Sequence, residues 1–135
     1  MYISEGIPFG FTSAAIVAYL RSQGFALDDI GLFVAALFLP WSFKWAWAPL
    51  VDLFRFNHLG GRKAWIVACT VMMVLTLSLI QLLDVADDFR LLLSLVVFHN
   101  IFAATQDVAI DSLAVSTLEA DERARGNGFM FGGQY

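Results

Sequence analysis

The sequence predicts an all-α membrane protein with four transmembrane helices and the start of a fifth. Three observations carry that prediction. Hydrophobic residues make up 59% of the 135 and the mean hydropathy is +0.72, against roughly 45–50% apolar residues in a soluble domain. Apolar windows close to 20 residues long recur four times, and about 20 residues are needed to cross the hydrocarbon core. The connections between these windows are short and alternate in basic content. The expected spans are about 2–20, 30–50, 64–83 and 90–118, with a fifth helix beginning near 126.

The first span carries Gly6, Pro8 and Gly10 near its start. Proline removes a backbone donor and clashes with the preceding turn, so a kink or break is expected there. Discontinuous helices often line the substrate site of a carrier, whereas small residues also serve plain close packing. Both readings stay open. The second span opens at Leu27-Asp28-Asp29-Ile30-Gly31, where an aspartate before an apolar run predicts a helix cap. It is rich in aromatic side chains, with Trp41, Trp45 and Trp47 suited to packing or to anchoring at the membrane interface. The third span holds Cys69, the one cysteine, so no intrachain disulfide forms. The fourth, with largely apolar flanks at 91–102 and 108–118, carries Gln106, Asp107 and Asp111.

Orientation follows from the basic residues of the connections. Arg55, Arg62, Lys63, Arg123 and Arg125 lie in the second and fourth (51–63 and 119–127), against only Arg21 and Arg90 in the first and third (21–29 and 84–90). The positive-inside rule places the second and fourth in the cytoplasm, so the N-terminus is cytoplasmic and the first helix runs outward. The net charge of −4 and the absence of a basic patch exclude nucleic-acid binding as a reading. The first segment is too long and too interrupted for a signal-peptide core. The chain is expected to start late in its first span and to stop early in its fifth, as a piece of a larger protein.

Charges inside apolar spans need a reason, because one near the membrane centre costs at least a few kcal/mol on insertion scales. With a rise of about 1.5 Å per residue, Glu5 lies about 22 Å below Leu20, Lys44 about 21 Å below Ile30 and Asp107 about 24 Å below Leu91. Three ionisable groups from three helices thus share one level in the cytoplasmic half of the membrane. Lys44 is the only cation in the interior of the spans, Arg90 lying at the outer edge of the fourth, and its pairing with Asp107 or Glu5 would neutralise a buried charge; alternatively it snorkels to water. On the fourth helix, Asn100, Ala104, Asp107 and Asp111 form one stripe, with His99 and Gln106 at its border. His99 is suited to titrate near neutral pH or to pack as a hydrogen-bonding residue. The aspartates themselves read either as hydrated anchors at the cytoplasmic mouth or as part of a proton and substrate pathway, in which alternating water access loads and unloads Asp107. Asp111, one turn deeper, is the weaker candidate.

The second connection runs from Asp52 through Leu59-Gly60-Gly61-Arg62-Lys63. Here the sequence resembles the major facilitator superfamily, whose loop between helices two and three carries an acidic residue and a Gly-Arg-Arg/Lys cluster; Asp52, Gly61, Arg62 and Lys63 match it, in a longer loop. Glu5-Gly6-Ile7-Pro8, the run from Phe43 to Asp52 and Ala104-Thr105-Gln106-Asp107-Val108-Ala109-Ile110-Asp111 are similar to AmpG-type muropeptide permeases and the related acetyl-coenzyme A transporters. The resemblance implies that residues 1–135 are a partial N-terminal transmembrane bundle, belonging to the first six-helix half of a twelve-helix carrier. It also implies proton-driven import of anhydromuropeptides across the bacterial inner membrane for cell-wall recycling, with Asp107 essential, or carriage of another solute such as acetyl-coenzyme A. Glu119, Asp121, Glu122, Arg123 and Arg125 match the connection before helix five, with a topological and gating role implied. The expected partners are the lipid bilayer, a small polar solute, protons and the remaining helices of the full-length chain; no cofactor or metal is expected.

Two rivals from other classes are weaker. An intramembrane aspartate enzyme needs acids facing one another across helices, whereas Asp107 and Asp111 lie one turn apart on one helix. A membrane scaffold subunit has no need of Glu5, Lys44 and Asp107 at one depth.

Overall fold

A computed structural model describes residues 2–53, 61–85, 87–119 and 121–134. All regular structure among them is helical.

The first segment comprises α1 (Tyr2–Gly10), a π-helical turn (Phe11–Ala15) and α2 (Ile16–Ser22). Pro8 lies inside α1 and cannot donate. Downstream of it the chain widens to π register, in which the Ile16 N–H reaches the Phe11 carbonyl. Hydroxyls occupy the carbonyls around the disturbance: Thr12 Oγ1 donates to the Pro8 and Phe9 oxygens at 2.8 and 3.1 Å, and Ser13 Oγ to the Phe9 oxygen at 2.6 Å. The expected kink or break therefore takes the form of a π turn inside a continuous helix. The far end closes with Gly24 at φ +83°. The Phe25 N–H bonds the Leu20 carbonyl and the Gly24 N–H the Arg21 carbonyl, both at 3.2 Å, the pairing of a Schellman motif.

Helix α3 (Leu27–Ser42) begins after Ala26, whose extended backbone supplies no side-chain cap. This corrects the aspartate cap expected from sequence: Asp28 and Asp29 lie inside the first turn, where their charge complements the positive helix end. The second expected span is divided at Phe43, which leaves helical geometry (φ −102°, ψ 14°) three residues after Pro40. Helix α4 (Lys44–Leu53) follows at once, so Lys44 stands at the first position of a helix.

Helix α5 (Arg62–Ile80) starts from Gly61, whose φ of +63° and ψ of −126° suit a residue without Cβ. Helix α6 (Phe89–Thr117) has 29 residues, about 43 Å at the standard rise, against about 30 Å of hydrocarbon core. Both α5 and α6 are long and apolar enough to cross a membrane. Helix α7 (Glu122–Gln134) begins earlier than the expected start near 126, and Arg123 and Arg125 lie in the helix instead of a connection. Glu122 Oε2 accepts from the Glu119 N–H at 3.1 Å, closing a turn that an apolar window cannot detect. Arg123 bonds back to the Val115 and Leu118 carbonyls at 3.0 and 3.3 Å, covering the C-terminal end of α6.

Helix α6 packs on α3, α4 and α5, and α7 packs on α1. Two apolar clusters hold the bundle. One joins Ile16, Leu20, Phe33, Leu37, Ile80, Leu92 and Val96 near the start of α6; the other joins Val51, Ile66, Val108, Ala109 and Ile110 toward its end. Buried Ala103, Ala104 and Ala109 let neighbouring backbones approach α6 closely. The outward face of α5 is apolar: Val67, Val71, Val74, Leu75 and Leu79 are each at least half exposed, a surface suited to lipid. Between the clusters lies a layer of polar side chains.

Candidate functional site

The polar layer is organised by the two inward faces of α6. Residues three, four and seven apart share a face, which separates His99 and Gln106 from Asn100, Asp107 and Asp111.

The first pair meets α5. His99 is buried, and its Nδ1 lies 2.8 Å from Thr76 Oγ1, which also bonds the Met72 and Met73 carbonyls. Gln106 Nε2 donates to the Ile66 carbonyl at 3.2 Å and to Thr70 Oγ1. Both side chains therefore fasten α6 to α5. Thr70 and Thr76 did not stand out in the sequence, although hydroxyl side chains in a largely apolar helix are the available signal.

The second group meets α3 and α4. Asn100 Oδ1 accepts from Trp41 Nε1 at 3.0 Å, and Asn100 Nδ2 donates to the Val96 carbonyl at 2.9 Å. Trp41 is thus a polar partner inside the bundle as well as a packing residue. One turn below, Lys44 forms an ion pair with Asp107 and a second, at 3.2 Å, with Asp111. The Asp107 side chain is 5% exposed; Lys44 and Asp111 are at 38% and 44%. One ammonium thus bridges a buried carboxylate and a half-exposed one. The break at Phe43 matters here, because it sets Lys44 at the positive end of α4, facing both acids.

The Glu5 side chain, with that of Asp52, lies outside the described residues, as do Arg55, Leu59 and Gly60. Gly61, Arg62 and Lys63 stand at the entrance to α5. Ala104 is buried on α6 between the Asn100 and Asp107 levels.

A groove of about 500 Å³ opens beside Lys44 and Asp111, between α4 and the end of α6, with Trp45, Ala48, Ser112 and Ser116 in its walls. Trp45 is 75% exposed there. A much smaller cavity separates α1 from Trp41, His99 and Asn100.

An all-helical bundle with apolar outer faces and a charged, hydrogen-bonded interior defines the class: a membrane protein with a polar site between its helices. The chain belongs to the family described as acetyl-coenzyme A transporter 1, whose model matches residues 1–91. It is 26% identical over 123 residues to the anhydromuropeptide permease of Escherichia coli K12, an alignment covering 91% of this chain and 25% of that protein. It is 27% identical to an uncharacterized protein of Haemophilus influenzae, covering 92% of this chain and 29% of that one. It is 28% identical to a putative transporter AmpG 4 of Rickettsia felis, covering 88% and 29%. The chain thus spans about a quarter of the length of these curated relatives. No solved structure matches it.

Proposed function

We propose that this chain is part of the N-terminal six-helix half of a major facilitator carrier that imports a polar solute with protons across the bacterial inner membrane, and that the solute is an anhydromuropeptide. In this reading the first segment and the α3–α4 segment span the membrane along with α5 and α6. The N-terminus lies in the cytoplasm, and the helices beyond this chain complete the cavity.

The observation that carries the reading is the Lys44 bridge between Asp107 and Asp111. A scaffold gains nothing from three ionisable side chains in an apolar bundle, whereas a carrier uses them. One ammonium is shared between two carboxylates, and protonation of either acid is the smallest change that redistributes that pairing. Binding a proton frees Lys44 from one acid without leaving an unpaired charge between the helices. The half-exposed Asp111 links the groove to the buried Asp107, so water reaching the groove has a route to both. Alternating access then needs the cluster to open toward one side of the membrane with the proton bound and toward the other without it. Hydrolytic chemistry is disfavoured, since both acids share one helix and one lysine.

A second cargo is favoured by the family description, which names acetyl-coenzyme A. Vesicles carrying the full-length parent protein separate the two. With an imposed pH gradient, labelled anhydromuropeptide accumulates and acetyl-coenzyme A does not. Accumulation of acetyl-coenzyme A alone transfers the cargo to the second reading, and accumulation of anhydromuropeptide that ignores the gradient removes proton coupling.

A further inference from the structure

Toward the start of α6, Ile16 and Leu20 of the first segment share one apolar cluster with Leu92 and Val96. Counting by fours from that cluster, the next positions are Thr12 on the first segment and Asn100 on α6. Here apolar packing gives way to the small cavity between α1 and α6. Thr12, His99 and Asn100 all line it, and their exposures are only 2%, 3% and 4%. Three polar side chains so deeply buried need partners, since an unmet hydrogen-bonding group away from water costs about 1–3 kcal/mol.

Their existing bonds fix what each can still offer. The Thr12 hydroxyl hydrogen is taken by the Pro8 and Phe9 carbonyls, so its oxygen is left to accept. Thr76 likewise gives its hydrogen to the Met72 and Met73 carbonyls, and therefore accepts from His99 Nδ1. In a neutral imidazole protonated at Nδ1, the other ring nitrogen, Nε2, is an acceptor. Asn100 gives one amide hydrogen to the Val96 carbonyl and accepts from Trp41; it has a second amide hydrogen to give. The wall thus supplies two acceptors and one donor. A water, with two hydrogens and two lone pairs, complements all three. Size agrees: water can occupy about 20 Å³ of the cavity, and one molecule needs about 10–15 Å³ by that measure. No carboxylate, lysine or arginine lines it among the described residues, so nothing there selects an ion.

We propose that this cavity is a built site for one water molecule, which donates to His99 Nε2 and Thr12 Oγ1, accepts from Asn100 Nδ2 and so ties the π turn of the first segment to α6. About three hydrogen bonds are usual for a buried water. The joint between the two helices is then apolar at Ile16 and Leu20 and water-bridged at Thr12. The site stands whatever solute the full-length protein moves.

Met73 reports on it. This side chain lines the cavity, is buried and carries an oxidisable thioether; Cys69, buried one turn earlier on α5 and outside the cavity wall, is the control. Brief X-ray irradiation of the detergent-purified full-length protein makes hydroxyl radicals from water wherever it is bound, and mass spectrometry locates the oxidised side chains. Native protein is expected to oxidise at Met73 and to spare Cys69. Thr12→Val and Ala103→Val, the first removing an acceptor and the second filling the wall, lose the Met73 oxidation, and Thr12→Ser keeps it. Ala103→Val leaves the bonds of the π turn untouched, so the site is still read if Thr12→Val unfolds. In thermal unfolding, Thr12→Val lowers the midpoint less when His99→Leu is already present, because the bridge they share is then gone. Unoxidised Met73 in the native protein, oxidation of Cys69 alongside it, oxidation that persists in both valine variants, or strictly additive midpoint shifts overturns the proposal.

Discussion

Lys44 carries more of the site than any other described residue, since it links α4 to two acids of α6. Removing one partner of a buried pair leaves an uncompensated charge, at about 3–5 kcal/mol where burial is complete. Here the lysine is 38% exposed and the acids can take up protons, so Lys44→Met is expected to destabilise the full-length protein by only about 1–3 kcal/mol. Adding Asp107→Asn to Lys44→Met recovers part of that loss, because the stranded carboxylate is gone. Denaturant titration of the single and double variants in detergent measures both quantities, and equal stability of the two would contradict the pairing. That Lys44 and Asp107 lie near one level was legible in the sequence, because helical rise is constant. The sharing with Asp111 was not, since a count of depths ignores the length of a lysine stem, which reaches acids one turn apart. The Trp41 bond to Asn100 was hidden for a related reason: an indole suits an interfacial belt and a buried donor equally well.

At the scale of elements, α5 and α6 act as one body. Two apolar clusters and two side-chain bridges join them, His99 with Thr76 and Gln106 with Thr70 and the Ile66 carbonyl. Hydrogen bonds between membrane helices are worth about 0.6 kcal/mol on average and up to about 1.7. Thr76→Val, which keeps the shape and removes the partner of His99, is therefore expected to cost about 0.5–1.5 kcal/mol in the same titration; no change would show that His99 is satisfied elsewhere. The existence of these helices was legible from apolar windows. Their internal irregularities were not: proline at position 8 signals a disturbance but not the π register that Thr12 and Ser13 stabilise. The break at Phe43 has only Pro40 to announce it. The start of α7 lies in polar sequence, where a hydropathy window is blind and a glutamate reaching back to Glu119 is decisive.

For the whole molecule, the proposed orientation sets two parts of the chain on opposite sides of one membrane. Single cysteines introduced at Asp87 and at Lys63 test this, because the native Cys69 is buried and gives little background. In intact cells an impermeant thiol reagent is expected to label the Asp87→Cys variant and to reach the Lys63→Cys variant only after permeabilisation. The reverse pattern would invert the topology and with it the route of the proton. The family was legible in three short motifs because they hold the charged and helix-breaking residues that an apolar bundle retains only for a purpose. The outer wall of the groove was not legible, since that depends on how α4 turns after Phe43. In the proposed carrier the buried acid beside Lys44 couples the proton gradient to solute movement. Its most direct test is accumulation of labelled anhydromuropeptide in vesicles carrying the full-length protein, native or Asp107→Asn, under an imposed pH gradient. The native protein is expected to concentrate the solute and Asp107→Asn is not, while still exchanging external for internal solute when no gradient is applied. Gradient-driven accumulation by Asp107→Asn at the native level would contradict it.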